Sequence, residues 1–99
     1  MYLNRRIIKV KPGNMPAVIE LYKSLKGKSK TSSRLYACEF PSFQTVVIQV
    51  ECESIAGYEK SINEFYSDPE MIAFNNQLLT LIDSGTNELW KFIDEIKVT

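Results

Sequence analysis

The chain lacks histidine altogether. This absence excludes catalytic triads built on Ser-His or Cys-His pairs, histidine-ligated zinc or haem iron, and the imidazole base that many enzymes use near neutral pH. The two cysteines are too few for a disulfide scaffold. Catalysis by this chain would therefore depend on carboxylate, tyrosine, lysine, arginine or cysteine side chains, or on a substrate that supplies its own reactivity.

The chain also lacks a net charge and a long apolar run. Twelve basic residues balance twelve acidic ones, so no overall field attracts nucleic acid or an anionic membrane. No stretch approaches the roughly 20 apolar residues of a membrane span. The opening MYLNRRIIKV leads into a turn and not into the apolar run of a secretory signal. We expect a cytoplasmic protein, with one domain over residues 1–99 and its core within 3–93.

Hydrophobic periodicity predicts four strands and three helices. The strands are expected at residues 3–11, 34–40, 43–51 and 87–93. The first helix is expected at 15–26, ending at Gly27, and the second after a Ser54 cap. Their buried faces are predicted to carry Val18, Leu21, Tyr22 and Leu25 on the first helix, and Ile55, Tyr58, Ile62 and Phe65 on the second.

The tetrapeptide SDPE, residues 67–70, has the pattern of a capping box at the start of the third helix. The Ser67 hydroxyl can accept from the backbone amide of Glu70, and Pro69 is tolerated in a first helical turn. Gly85 follows the apolar part of the helix and is expected to be its C-cap.

The predicted order of elements, β-α-β-β-α-α-β, is that of a ferredoxin-like α+β sandwich. This fold has an antiparallel four-stranded sheet with its helices on one face. The other face of such a sheet is left uncovered.

The segment CEFPSFQTVVIQVEC, residues 38–52, carries a cysteine at each end. When its strands pair through a two-residue turn at 41–42, Cys38 lies opposite Thr45. Cys52 is then about 23 Å farther along the strand, at about 3.3 Å per residue. A disulfide needs α-carbons within about 7 Å, so the two cysteines cannot bond within one chain.

The same pairing divides the hairpin into two faces. The apolar face, which suits the helices, carries Leu35, Ala37, Val46, Ile48 and Val50. The mixed face carries Arg34, Tyr36, Cys38, Phe40, Phe43, Thr45, Val47 and Gln49, to which the last strand adds Trp90 and Phe92 or else Leu89 and Ile93. Such a mixture is typical of a face covered by another subunit. We therefore expect a homodimer.

Four stretches of the sequence resemble a known superfamily. They are the Lys-Pro-Gly turn at 11–13, YACEFPSFQTVVIQVECES, FYSDPEMIAF and the terminal ELWKF. Together, over residues 3–93, they are similar to the dimeric α/β-barrel superfamily, specifically to small NIPSNAP-like members related to antibiotic biosynthesis monooxygenase domains. The resemblance implies that two sheets from two subunits pack face to face as a barrel.

The same resemblance implies a range of activities. Members of the superfamily include cofactor-independent oxygenases, haem-degrading enzymes, isomerases and proteins with no known activity. The haem degraders use a histidine ligand that this chain does not have, so we do not expect that activity, and we expect no cofactor. We expect no metal site either, because Glu39 lies at the hairpin tip whereas Glu51 and Glu53 lie at its far end, so that no convergent pair of carboxylates arises.

Arg6 matches an arginine common in the first strand of NIPSNAP-like relatives. The neighbouring Ile7, Ile8 and Val10 leave open which face of the sheet Arg6 occupies.

Six residues are candidates for ligand binding, namely Arg34, Tyr36, Thr45, Gln49, Trp90 and Arg6. The polar members could line a pocket for a small, partly polar organic molecule, with Arg34 pairing an acid or an enolate, and Trp90 could stack on a flat ligand. The alternative, which the composition favours slightly, is that they fill the subunit interface, with Arg34 meeting a carboxylate across it, although interfaces and pockets share this composition.

Two functions are therefore left open by the sequence. The first is a homodimeric barrel that binds a small organic molecule, with cofactor-independent oxygenation or isomerisation as its chemistry and Arg34 or Tyr36 stabilising a substrate anion. The second is a non-catalytic dimerisation or accessory module whose barrel is packed shut. No catalytic residue is assigned.

Overall fold

The structure, a computed structural model, describes residues 1–28, 32–41 and 43–97. The elements in these ranges follow the predicted order. The strands are β1 (Tyr2–Val10), β2 (Ser33–Ala37), β3 (Thr45–Cys52) and β4 (Ile82–Lys91). The helices are α1 (Met15–Lys23), α2 (Ile55–Ser67) and α3 (Pro69–Leu79). No helix in these ranges is long and apolar enough to cross a membrane.

The strands form one antiparallel sheet in the order β2-β3-β1-β4. This arrangement confirms the predicted ferredoxin-like α+β fold. The register of the hairpin is also as predicted, with Arg34 opposite Gln49 and Tyr36 opposite Val47. Because residues directly opposite one another share a face, the register assigns every paired residue to one side of the sheet.

One face of the sheet packs against the helices and forms the core. Its most buried residues are Ile8, Val10, Val46 and Ile48. They pack against buried side chains of the helices, namely Val18, Phe74 and Leu78. Each such side chain stabilises the fold by about 1.5–3 kcal/mol relative to an exposed one. The hairpin face predicted to meet the helices is the one that does.

The two cysteines are free, as predicted. The backbone amide of Cys38 donates to the carbonyl of Thr45 at 2.9 Å, which places these two residues opposite each other. Cys52 lies at the far end of β3, opposite Tyr2. The predicted two-residue turn includes residue 42, which lies outside the described residues.

The junction between α2 and α3 differs from the predicted capping box. Asp68 is the N-cap of α3, and its Oδ1 accepts from the Glu70 amide at 2.9 Å. Ser67 is the last residue of α2, and its hydroxyl donates to the carbonyl of Asn63 at 2.7 Å. The prediction of Ser67 as the cap is wrong because α2 extends through Ser67 and uses its hydroxyl, which leaves the capping position to the residue before Pro69.

The connection from α3 into the last strand also differs from the prediction. β4 begins at Ile82, and Gly85 lies within it, opposite Ile8 of β1. The prediction of Gly85 as a helix C-cap is therefore wrong. Backbone pairing with the long strand β1 overrides the weak strand propensity of the Asp-Ser-Gly segment. α1 ends at Lys23, before the predicted boundary, and Gly27 follows in a turn with a φ of 78°.

The capping assignment is tested by two alanine substitutions. We expect Asp68→Ala to lower the free energy of unfolding by about 1 kcal/mol, because it removes the side-chain cap of α3. Ser67→Ala should change it by less than about 0.5 kcal/mol, since alanine's helix propensity compensates for the lost hydroxyl bond. Urea denaturation of both variants checks this. A larger loss for Ser67→Ala would restore Ser67 as the cap.

Candidate functional site

The face of the sheet away from the helices is uncovered, and its residues form transverse rows across the strands. We call it the open face. Its three central rows are Arg34–Gln49–Arg5–Glu88, Tyr36–Val47–Ile7–Thr86 and Glu51–Leu3–Trp90. A polar, charged row thus lies between two rows that are largely apolar.

The open face contains most of the residues predicted to bind a ligand. These are Arg34, Tyr36, Thr45, Gln49 and Trp90. Of the two alternatives for the last strand, Trp90 is the one on this face, opposite Leu3, and it is 53% exposed. Arg6 is separated from this group, because it lies on the helix-covered face, opposite Ile48 and Asn87.

The guanidinium groups of the open face are only partly satisfied. Arg5 Nη1 lies 3.7 Å from Glu88 Oε1, and the same oxygen accepts from Trp90 Nε1 at 3.0 Å. Arg5 Nε is buried and has no hydrogen-bond partner among the described residues. Arg34 has no carboxylate within 4.0 Å in the described part of the chain. The row therefore offers more hydrogen-bond donors than the described residues accept.

A cleft of about 330 Å³ opens on the other side of the sheet, between α2 and the strands β1 and β4. We call it the α2 cleft. Its lining residues are Arg6, Tyr58, Glu59, Ile62, Asn63, Tyr66 and Asn87. It exists because α2 covers the sheet loosely: none of its 13 residues, all of them described, is buried.

A chain of side-chain hydrogen bonds connects the cleft to the sheet. The Tyr58 hydroxyl accepts from Asn87 Nδ2 at 2.7 Å, and Asn87 Oδ1 accepts from Asn4 Nδ2 at 2.6 Å. Asn4 is only 6% exposed, and its Nδ2 also donates to the carbonyl of Glu88 at 3.0 Å. These bonds hold Asn87 in place. Within the described part of the chain no acceptor takes the Tyr58 hydroxyl proton, so Tyr58 can donate it to a molecule in the cleft.

Arg6 is the cationic group of the cleft. Its guanidinium lies over the Phe65 ring, 5.4 Å from the ring centroid. No carboxylate lies within 4.0 Å of it among the described residues. Arg6 is therefore held by an aromatic face and keeps its hydrogen-bonding capacity for another acceptor.

Tyr22, on α1, places a second unsatisfied group under the sheet. Its hydroxyl is buried and has no hydrogen-bond partner among the described residues. Burial raises the pKa of Tyr22 to about 12, and the positive charge of Arg6 opposes this rise. The ring packs edge-to-face against Phe74 with the centroids 5.1 Å apart. Tyr22 therefore stays protonated at neutral pH and can act only as a hydroxyl donor or acceptor there.

Several residues on the helix-covered side of the sheet were not predicted as functional from the sequence. Helical spacing predicts Tyr22 and Tyr58 as members of apolar helix faces, and nothing in the pattern distinguishes Asn4 or Asn87. A tyrosine on a buried helix face does carry one signal, because its hydroxyl requires a partner. No group of three or more Cys, Asp or Glu side chains in the described ranges is arranged to hold a metal ion.

No protein-family model matches the sequence, and no curated protein matches it. Solved structures do match. An uncharacterized NIPSNAP domain protein from Burkholderia xenovorans superposes with a TM-score of 0.85 at 12% identity, over 99% of this chain and 100% of that one. A NIPSNAP family protein from Agrobacterium tumefaciens gives 0.81 at 16% identity, over 94% and 86%.

An antibiotic biosynthesis monooxygenase superposes with a TM-score of 0.74 at 14% identity, over 95% of this chain and 100% of that one. At these identities the likeness establishes the fold and no more. The predicted resemblance is confirmed at this level: the chain has the ferredoxin-like α+β fold of NIPSNAP domain proteins and of this monooxygenase.

The pKa of Tyr22 predicts a pH dependence of stability. The folded chain keeps the Tyr22 proton up to a pH of about 12, whereas the unfolded chain releases it near its ordinary value of 10.0. This contribution of Tyr22 to stability is therefore complete below that ordinary value and is lost as the pH rises through this window, by about 3 kcal/mol. Tyr22→Phe should remove this part of the slope.

Urea denaturation at increasing alkaline pH checks this, with Tyr66→Phe as the control because Tyr66 is 54% exposed. Near neutral pH we expect Tyr22→Phe to be neutral or slightly stabilising, since it deletes an unpartnered buried hydroxyl. A Tyr22→Phe slope equal to that of the wild type would contradict the assignment.

Proposed function

We propose that the chain is a homodimeric α/β-barrel protein that binds a small organic molecule in the α2 cleft of each subunit. The observation that carries this proposal is Arg6, a half-buried residue that lines the cleft and has no carboxylate within 4.0 Å among the described residues. A charged group left without a partner destabilises a fold, so a ligand that supplies an acceptor would account for it.

The lining of the cleft indicates the chemistry of this ligand. Arg6 suits a carboxylate, an enolate or a polarised carbonyl oxygen, and the Tyr58 hydroxyl can donate a second hydrogen bond. Ile62 and Tyr66 supply apolar surface beside these groups. A volume of about 330 Å³ lies at the small end of the roughly 300–1,000 Å³ of ligand sites. The ligand is therefore a small, flat or compact molecule with one anionic or enolisable end.

The same geometry supports a cofactor-independent oxygenase-like or isomerase-like activity. In such chemistry the protein stabilises an electron-rich substrate anion, and Arg6 is the cation that faces the cleft. This assigns the anion-stabilising role to Arg6, whereas the sequence favoured Arg34 or Tyr36, which lie on the other side of the sheet. The fold shared with an antibiotic biosynthesis monooxygenase is consistent with this chemistry.

The open face supports the homodimer. Its aromatic residues are largely exposed in the single chain, Tyr36 at 47% and Trp90 at 53%. Leu3, Ile7 and Val47 lie between them. An apolar and aromatic surface of this kind marks an interface, and a second copy of the same face is the partner that closes a barrel.

The second candidate function is a non-catalytic dimerisation or accessory module with a packed barrel. It is favoured by the position of Arg34, Tyr36, Thr45, Gln49 and Trp90 on the face that a dimer would cover. In that case their role is to fill the interface. The two functions differ in whether the α2 cleft holds a ligand.

Native mass spectrometry of the purified protein tests the ligand. We expect a dimer that releases a defined small molecule under collisional activation, and loss of that molecule in Arg6→Gln, because glutamine cannot pair with an anion. Lys60→Gln removes an equal charge from α2 outside the cleft lining and should keep it. A dimer with nothing bound favours the packed module.

Analytical ultracentrifugation tests the dimer. We expect Ile7→Asp, at the centre of the open face, to weaken association by about a hundredfold or more, because the carboxylate would be buried unpaired. The same substitution at Ile72, which is 41% exposed on α3, should leave association unchanged. A monomeric wild type, or equal loss in both variants, would exclude a dimer through the open face.

A further inference from the structure

The charged row of the open face has the geometry of a second binding site. Arg5 and Arg34 lie in one transverse row with Gln49 between them. Strands are about 4.8 Å apart, so the two arginine α-carbons are separated by roughly 10 Å. Both side chains are long enough for their guanidinium groups to reach the space above Gln49.

The charges of this row do not balance. Its single carboxylate is that of Glu88. One oxygen of this group, Oε1, lies 3.7 Å from Arg5 Nη1 and accepts a hydrogen bond from Trp90 Nε1 at 3.0 Å. A separation of 3.7 Å is too long for a hydrogen bond. Arg5 Nε has no partner, and Arg34 has no carboxylate within 4.0 Å, among the described residues. Glu51, in the neighbouring row, forms no described ion pair with either arginine.

From this arrangement we infer that the open face binds a small organic carboxylate, whose oxygens are held by Arg5 and Arg34 above Gln49. A planar carboxylate accepts two parallel hydrogen bonds from a guanidinium, which makes it a better match than a spherical anion. The rows on either side are largely apolar, with Tyr36, Ile7 and Trp90 beside the arginines. These rows contact the hydrocarbon or aromatic body of the acid, for which an inorganic anion has no equivalent.

This inference adds a second ligand site to the proposed function. It rests on the proposed dimer, because the second subunit is what encloses the site. Once a second open face covers the row, water no longer solvates the guanidinium of Arg34, which has no carboxylate within 4.0 Å among the described residues, or that of Arg5, which has only the long contact to Glu88. A buried charge needs a counter-ion. The carboxylate supplies one inside the barrel. The site lies on the opposite side of the sheet from Arg6 and the α2 cleft, so the two sites can fail separately.

The only tryptophan of the chain, Trp90, reports on this site by its fluorescence. The probe is cyclohexanecarboxylate, titrated at an ionic strength held constant with chloride. We expect a saturable change in Trp90 emission. Arg34→Gln and Arg5→Gln should each weaken binding about tenfold or more, because each loses a charge-assisted hydrogen bond. Arg34 is at an exposed edge of the sheet, so its variant is expected to fold, which circular dichroism verifies.

Lys9→Gln is the matched control. Lys9 is a cation of the open face, but it lies outside the charged row, opposite Thr45 and Ser84. Its variant should bind within about twofold of the wild type. Two control ligands test the two parts of the probe separately. Acetate has the carboxylate without the cyclohexane ring, and cyclohexanemethanol has the ring without the charge. Both should bind at least about tenfold more weakly than the acid.

Three results would overturn the inference: unchanged affinity in Arg34→Gln, equal weakening in Lys9→Gln, or binding of cyclohexanemethanol as tight as that of the acid. Equal binding of acetate would overturn the assignment of an acid whose hydrocarbon or aromatic body contacts the flanking rows. Arg6→Gln separates this site from the cleft. If both assignments hold, this substitution abolishes binding of the cleft ligand and leaves the Trp90 titration by cyclohexanecarboxylate unchanged. Loss of that titration would show instead that the probe binds in the cleft.

Discussion

Burial of one side of a four-stranded sheet is the constraint on which the rest of the structure depends. Ile8, Val10, Val46 and Ile48 lie under α1 and α3. Because side chains alternate strictly along a strand, a shift of one residue would place this whole set in water. The buried face therefore fixes the register of β1 against both of its neighbours, and the register determines the partners of every residue on the open side.

This constraint also explains the position of Arg6. It occupies a core-facing place in β1, between the buried residues Asn4 and Ile8. A cation there is tolerated because α2 covers the sheet loosely, leaving the cleft beside it and the Phe65 ring below the guanidinium. Asn4, Asn87 and Tyr58 are accommodated on the same side in a different way, because they hydrogen-bond to one another.

The arginines on the two sides of the sheet lie in different surroundings. Arg6 lies beside a cleft within one subunit, whereas Arg5 and Arg34 lie on the surface that a second subunit would cover. The fold itself does not select between a binding protein, an enzyme and a packed module, because one fold supports many functions. Side chains that lack acceptors among the described residues lie on both sides of the sheet, namely Arg5 Nε on one side and the Tyr22 hydroxyl on the other.

Local patterns determined the order of the elements, the hairpin register and the separation of the two cysteines, because strand alternation and short-range pairing are readable within a few residues. They also placed Arg34, Tyr36, Thr45 and Gln49 on the open face. The predicted capping residue of α3 was wrong because α2 extends through Ser67. The predicted start of β4 was wrong because Gly85 pairs with Ile8 of β1 and so belongs to the strand.

Only the tertiary structure decided the facing of Arg6 and Trp90 and the isolation of the Tyr22 hydroxyl. These depend on contacts between residues far apart in the sequence: β1 pairs with both β3 and β4, and α1 packs beside α3. The pattern around Arg6 has no clean alternation, so nothing local selects its face. The burial of Ile8 and Val10 under the helices does, because it determines the orientation of every residue in the strand.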